Sequence, residues 1–172
     1  MKKAIIFILL GLGGYTAGAQ IPQPDPDTTA VHFLIVASIK NLQEVSAGRL
    51  AAQKAIRPDV KSFGQMMVKD HGDAEQKLLQ LAKSRGYNLQ PAAIGDIQPD
   101  LNLKKAGPDF DRLYVHAMVA GHNNTVQAFE AYTINGKDPA VKAFAQQMLP
   151  TLKAHLAEIK AIDEKIKDQV AK

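Results

Sequence analysis

Apolar residues recur at alternating steps of three and four along four stretches of the chain, the spacing of amphipathic helices packed on a common core. From Ala30 to Ala55, Leu34, Ala37, Asn41, Glu44, Gly48 and Ala51 share one stripe. The second stretch runs through Val60, Phe63, Met67, His71, Ala74, Leu78 and Leu81, and Gly86 ends it. The third contains Asp111, Val115, Met118, His122, Thr125 and Phe129, and Asn135-Gly136 breaks it. The fourth contains Val141, Phe144, Met148, Leu152, His155, Ile159, Ile162 and Ile166. Pro58, Pro108 and Pro139 suit the first positions of the last three helices. Pro150 lies inside the fourth, where a kink is expected. The predicted helices are about 30–55, 58–85, 108–134 and 139–168.

Between 86 and 107 no period is sustained, and Pro91, Gly95 and Pro99 interrupt the segment. A helix of about 28 residues is about 42 Å long, and about twenty extended residues reach about 66 Å. The connection can therefore cross the whole bundle and start the third helix parallel to the second. The chain also repeats itself. Pro58 to Met67 aligns with Pro139 to Met148, with six of ten residues identical: Pro, Val, Lys, Phe, Gln and the final Met. Two related helical hairpins joined by one long crossover give an all-α, ferritin-like four-helix bundle spanning about 29–170.

The first residues change the expected compartment. Lys2 and Lys3 precede an apolar run from Ala4 to Leu12, and Ala17-Gly18-Ala19 supplies small residues for cleavage. That is a secretory signal peptide over 1–19, with a mature chain from Gln20 in the periplasm or outside the cell. The apolar run is too short to span a bilayer. The sequence holds no Cys, so a lipoprotein anchor, disulfides and thiolate metal sites are excluded. Ile21 to Asp27 has three prolines in seven residues and makes residues 20–28 a tether. Removing the signal lowers 21 basic residues to 19 against 17 acidic ones, so the formal charge falls from +4 to +2. So small and mixed a charge gives no footprint for nucleic acid. The sequence leaves the partner open, whether a second copy of the chain or another envelope protein.

Three stretches carry a family resemblance: Asn41 to Lys54 running on to Asp70-His71, Phe110 to Tyr114 with His122, and Leu149 to His155. Together they resemble the bacterial family of the domain of unknown function 4142, over roughly Thr29 to Ala161. The resemblance implies a ferritin-like bundle in the cell envelope and no established activity.

Each helix carries one notable polar residue near its middle: Glu44, His71, His122 and His155. In the register of the repeat, His155 corresponds to Ala74, three residues from His71, and His122 to Asn41, three residues from Glu44. Residues three apart share a helix face, so the four point inward at about one level. One carboxylate and three imidazoles can hold a divalent transition metal such as Zn, Fe, Mn or Cu. Asp70, Glu75 and Glu158 are close enough in sequence to orient the imidazoles. A di-iron centre needs Glu-x-x-His on two helices, but Val68 and Leu152 stand three before His71 and His155. The other reading of the same residues is a satisfied polar layer that fixes helix register. Tyr114 is near enough in sequence to hydrogen-bond into that layer. No Gly-x-Ser-x-Gly, phosphate-cradling glycine loop or dinucleotide fingerprint is present. The leading expectation is a non-enzymatic binding or stress-related envelope module, with a metal-binding protein or metalloenzyme as the alternative.

Overall fold

The computed structural model describes residues 28–89, 97 and 100–170. The expected signal peptide, most of the tether and the middle of the crossover lie outside the described residues. The described residues are helical throughout their regular structure: α1 is Thr28–Lys54, α2 Pro58–Ser84, α3 Leu101–Lys105, α4 Phe110–Asn135 and α5 Pro139–Val170. The four long helices are those the periodicity predicts. The short α3 was not anticipated, because five residues are too few to show a period.

The ends follow local chemistry. Pro58 and Pro139, the matched prolines of the repeat, are each the first residue of their helix. Gly86 ends α2 with a positive φ of 68°. Its neighbour Tyr87 donates its backbone N–H to Ala82 O at 2.9 Å, a Schellman closure. The third long helix starts at Phe110, two residues after the expected Pro108. Phe110 N donates to Gly107 O at 3.0 Å, so Pro108 lies in the turn before the helix. α5 continues through Pro150, which is exposed.

Two apolar clusters form the core. One gathers Ala51, Phe63, Met67, Tyr114, Met118, Ile159 and Ile162. The other gathers Leu34, Leu78, Val126, Phe129, Val141, Phe144 and Leu152. The first therefore joins the C-terminal half of α1 to the N-terminal halves of α2 and α4 and the C-terminal half of α5. So α2 and α4 run parallel, and each is antiparallel to its hairpin partner. Leu89 packs in one cluster and Leu103 in the other, so the two described ends of the connection lie at different ends of the bundle. This is the long-crossover arrangement expected from the sequence.

Each hairpin turn is held by an aspartate. Asp111 on α4 accepts from the backbone of Ile56 and, at 2.7 Å, of Arg57 in the α1–α2 turn. Asp138 accepts from Ala140 N and Val141 N at the start of α5. It also accepts from Arg85 and the Tyr87 hydroxyl beyond the end of α2. Within the first hairpin, α1 and α2 approach until backbone nearly touches backbone. A Cβ on Gly64 would stand 2.7 Å from Ala51 Cβ and 2.9 Å from Gly48 O.

Candidate metal centre

Between the apolar clusters lies a buried polar layer: Ser38, Asn41, Glu44, His71, Glu75, His122 and His155. The heptad spacing on α2 places Ala74 on the core stripe after His71, but it is Glu75 that is fully turned inward. A straight helix drifts by about 20° per heptad against a strict repeat, and an extra step of four, from His71 to Glu75, keeps the stripe on the core.

His71, His122 and His155 come from α2, α4 and α5, and their rings form a nearly equilateral triangle. The centroids are 5.6 Å apart for His71–His122, 5.5 Å for His71–His155 and 5.6 Å for His122–His155. One nitrogen from each ring lies within 4.8 Å of the other two. Phe63 closes the side toward the first apolar cluster, its ring edge-on to His122 at 6.1 Å and to His155 at 6.3 Å.

Each ring has one nitrogen engaged and one without a partner. His122 Nδ1 lies 3.0 Å from Met118 O, a carbonyl that can only accept, so this nitrogen carries the proton. His155 Nε2 lies 3.1 Å from Asp70 Oδ2, and the carboxylate likewise makes it the donor. His71 Nδ1 lies 3.0 Å from Asn41 Oδ1. The direction there is fixed one residue further out. Asn41 Nδ2 donates to Glu75 Oε2 at 3.2 Å, which turns the amide oxygen toward His71. Ser38 donates to the other oxygen of Glu75 at 2.5 Å. His71 Nε2, His122 Nε2 and His155 Nδ1 are then left buried and without hydrogen bonds. Three unpartnered ring nitrogens in one buried layer are rare in folded proteins.

Two of the rings, His71 and His122, are tuned to stay neutral. Burial, then the neighbouring imidazoles, lowers His71 to about 3. Burial lowers His122 to about 4, against the hydrogen bond to Met118 O and with His155 adding to the shift. For Asp70 burial is outweighed by the hydrogen bonds from His155 and Lys69, which hold its carboxyl below the usual range. A neutral imidazole with a free nitrogen is the ligand form of histidine. Tetrahedral coordination at about 2.1 Å needs N···N separations of about 3.4 Å, so each ring would draw in by at most about 0.8 Å.

Of the residues expected here, the structure brings the three histidines together and sets Glu44 beside them. Glu44 Oε1 is 3.8 Å from His122 Nδ1, the engaged nitrogen, and packs against Gly121. Its Oε2 has no partner. Burial raises its carboxyl to about 7, with Lys40 partly opposing. Asp70 orients His155 directly, whereas Glu75 reaches His71 only through Asn41. Glu158 is exposed on α5. The Tyr114 hydroxyl does not join the layer by a hydrogen bond; it is buried without a partner, and burial and then Glu44 raise its pKa. Asn41 and the Met118 carbonyl were not foreseen. The repeat did hold a signal for Asn41, since it is the counterpart of His122.

A cavity of about 230 Å³ reaches the three imidazoles and Glu44 from the surface. Exposed Lys40, Lys69, Asp73 and Lys77 line it, with Phe129, Phe144, Met148 and Leu152 on its apolar side. Among the described residues, no helix is long and apolar enough to cross a membrane.

The family model described as a domain of unknown function (DUF4142) matches residues 16–162. No curated protein matches the sequence. A crystal structure of a DUF305 fragment from Deinococcus radiodurans is similar with a TM-score of 0.67 and 12% identity, covering 79% of this chain and 95% of that one. A conserved hypothetical protein from Mycobacterium tuberculosis is similar with a TM-score of 0.61 and 12% identity, covering 80% of this chain and 92% of that one. At that identity the two structures share the fold and nothing finer.

Proposed function

From the premise that the chain belongs to the DUF4142 family, we propose that it is an exported metal-binding protein holding one divalent transition-metal ion in the middle of its bundle. His71 Nε2, His122 Nε2 and His155 Nδ1 are the ligands. The single observation that carries this reading is the set of three buried, unpartnered nitrogens, on rings whose other nitrogens are all engaged. Orienting each imidazole through its far nitrogen is what metal sites require. Three imidazoles with no carboxylate among them suit Zn, Cu or Fe(II) better than Mn, Mg or Ca. Three protein ligands also leave a coordination position open. Export rests on the signal-peptide pattern, with cleavage after Ala19 giving Gln20 as the first residue.

The test is metal analysis of protein purified without an affinity tag, with the N-terminus read by mass spectrometry. We expect about one ion per chain, bound again after stripping with chelator. At an ion concentration about 100 times Kd, binding stabilises the fold by about 2.7 kcal/mol, and melting rises accordingly. His71→Ala, His122→Ala and His155→Ala should each abolish that rise. Absence of metal, with melting unchanged on adding Zn, Cu, Fe or Mn, overturns the reading.

A further inference from the structure

The cavity in front of the imidazoles is not needed to hold an ion. A buried ion could be enclosed by the helices alone, yet this one would lie at the end of a space open to the surface. The lining has two distinct sides. One is apolar, formed by Phe129, Phe144, Met148 and Leu152. The other carries Lys40, Lys69 and Lys77, facing Asp70, Asp73 and Glu44. Lys69 pairs with Asp70 and Asp73. Lys40 and Lys77 are in no ion pair among the described residues, and Lys40 donates only to Gln43. With a divalent ion bound, positive charges on the lining outnumber negative ones whether or not Glu44 is ionised. Such a lining attracts an anion.

The volume, about 230 Å³, is below the roughly 300–1,000 Å³ of sites for drug-sized ligands. The occupant is therefore small. It needs one anionic, metal-ligating head and a short apolar body.

We propose that the cavity binds a small monocarboxylate, its head on the open position of the ion held by the three histidines and its apolar tail against Phe129, Phe144, Met148 and Leu152. This rests on the metal-binding reading above. The lysines at the mouth draw the carboxylate in, and the apolar side sets the tail length. An inorganic anion such as phosphate shares the charge but gains nothing from that side.

The test uses the full mature chain loaded with Co(II), whose visible spectrum reports changes in its own ligands. Acetate, propanoate, butanoate, hexanoate and benzoate are titrated in turn, with phosphate and 1-hexanol as controls. We expect the carboxylates to change the cobalt spectrum and to tighten by about fourfold per added methylene until the cavity is full. Phosphate should bind more weakly than butanoate, and 1-hexanol should leave the spectrum unchanged. Met148→Trp, which fills the apolar side, should abolish the carboxylate response and leave cobalt uptake intact. Lys77→Glu, a surface change, should weaken every carboxylate by a similar factor. Cobalt uptake with no carboxylate response, or affinities flat along the series, overturns this inference and leaves the metal site standing. Failure to take up cobalt overturns both.

Discussion

Asn41 holds His71 by presenting its amide oxygen 3.0 Å from Nδ1, and Glu75 decides which way that amide faces. The proton on His71 is thus positioned by a residue two hydrogen bonds away. Asn41→Leu keeps the size of the side chain and removes the acceptor. It should weaken metal binding by about 10–100-fold, measured by competition with a chromogenic chelator, whereas His71→Ala should reduce it further. Glu75→Gln lets the amide of Asn41 turn either way and should give a smaller loss in the same direction.

Glu44 gives the metal-free protein a pH dependence whose sign follows from its burial. Its carboxyl is raised from 4.5 to about 7, so the folded state holds the proton more tightly than the unfolded chain. The stability this contributes is complete below about pH 4.5 and lost as pH rises through 7. The loss amounts to about 3 kcal/mol. Glu44→Gln keeps a neutral side chain at every pH. Its melting temperature should exceed that of the parent by a margin that grows from pH 5 to pH 8.

On the acid side the sign reverses. His71 and His122 are lowered to about 3 and 4 against 6.5 in the unfolded chain. The unfolded chain therefore takes up protons first, and stability falls as pH drops below about 6.5. His122→Leu removes one of these groups and an unpaired buried polar atom. Thermal melts of the metal-free variant should be flatter between pH 6.5 and pH 4, with no loss at pH 7.

Two glycines of α2 should respond to alanine with opposite signs. At Gly64 the new methyl meets Ala51 Cβ at 2.7 Å and Gly48 O at 2.9 Å. Gly64→Ala forces α1 and α2 apart and should cost about 1–3 kcal/mol. At Gly72 nothing lies within 4 Å of the added carbon. There the substitution gains helix propensity, about 0.8–1 kcal/mol. Urea denaturation of the two variants separates packing from propensity.

The helices and their connectivity were legible because burial repeats along them. The stripe through Phe63, Met67 and His71 predicted the inward side chains that far, beyond which Glu75 rather than Ala74 turns in, and the matched prolines marked two helix starts that the structure keeps. The three histidines were legible for the same reason, as polar residues on apolar stripes. Periodicity gives the face of one helix, however, and not which atom of a neighbouring helix reaches which ring nitrogen. Glu44 and Asn41 share a stripe, three residues apart, yet only Asn41 meets an imidazole within hydrogen-bond distance. Glu75 looked like a direct partner of His71 because it lies one turn away in sequence, and Asn41 stands between them. A backbone acceptor such as Met118 O carries no mark in the side-chain pattern at all.

The three rings are divided unequally between the hairpins: His71 belongs to the first, His122 and His155 to the second. Neither half can encircle an ion by itself. Any ion gripped by all three would clasp the seam between the halves, and pulling the hairpins apart would cost the bond to His71 first. Coordination number would then report whether the two halves of the molecule are joined.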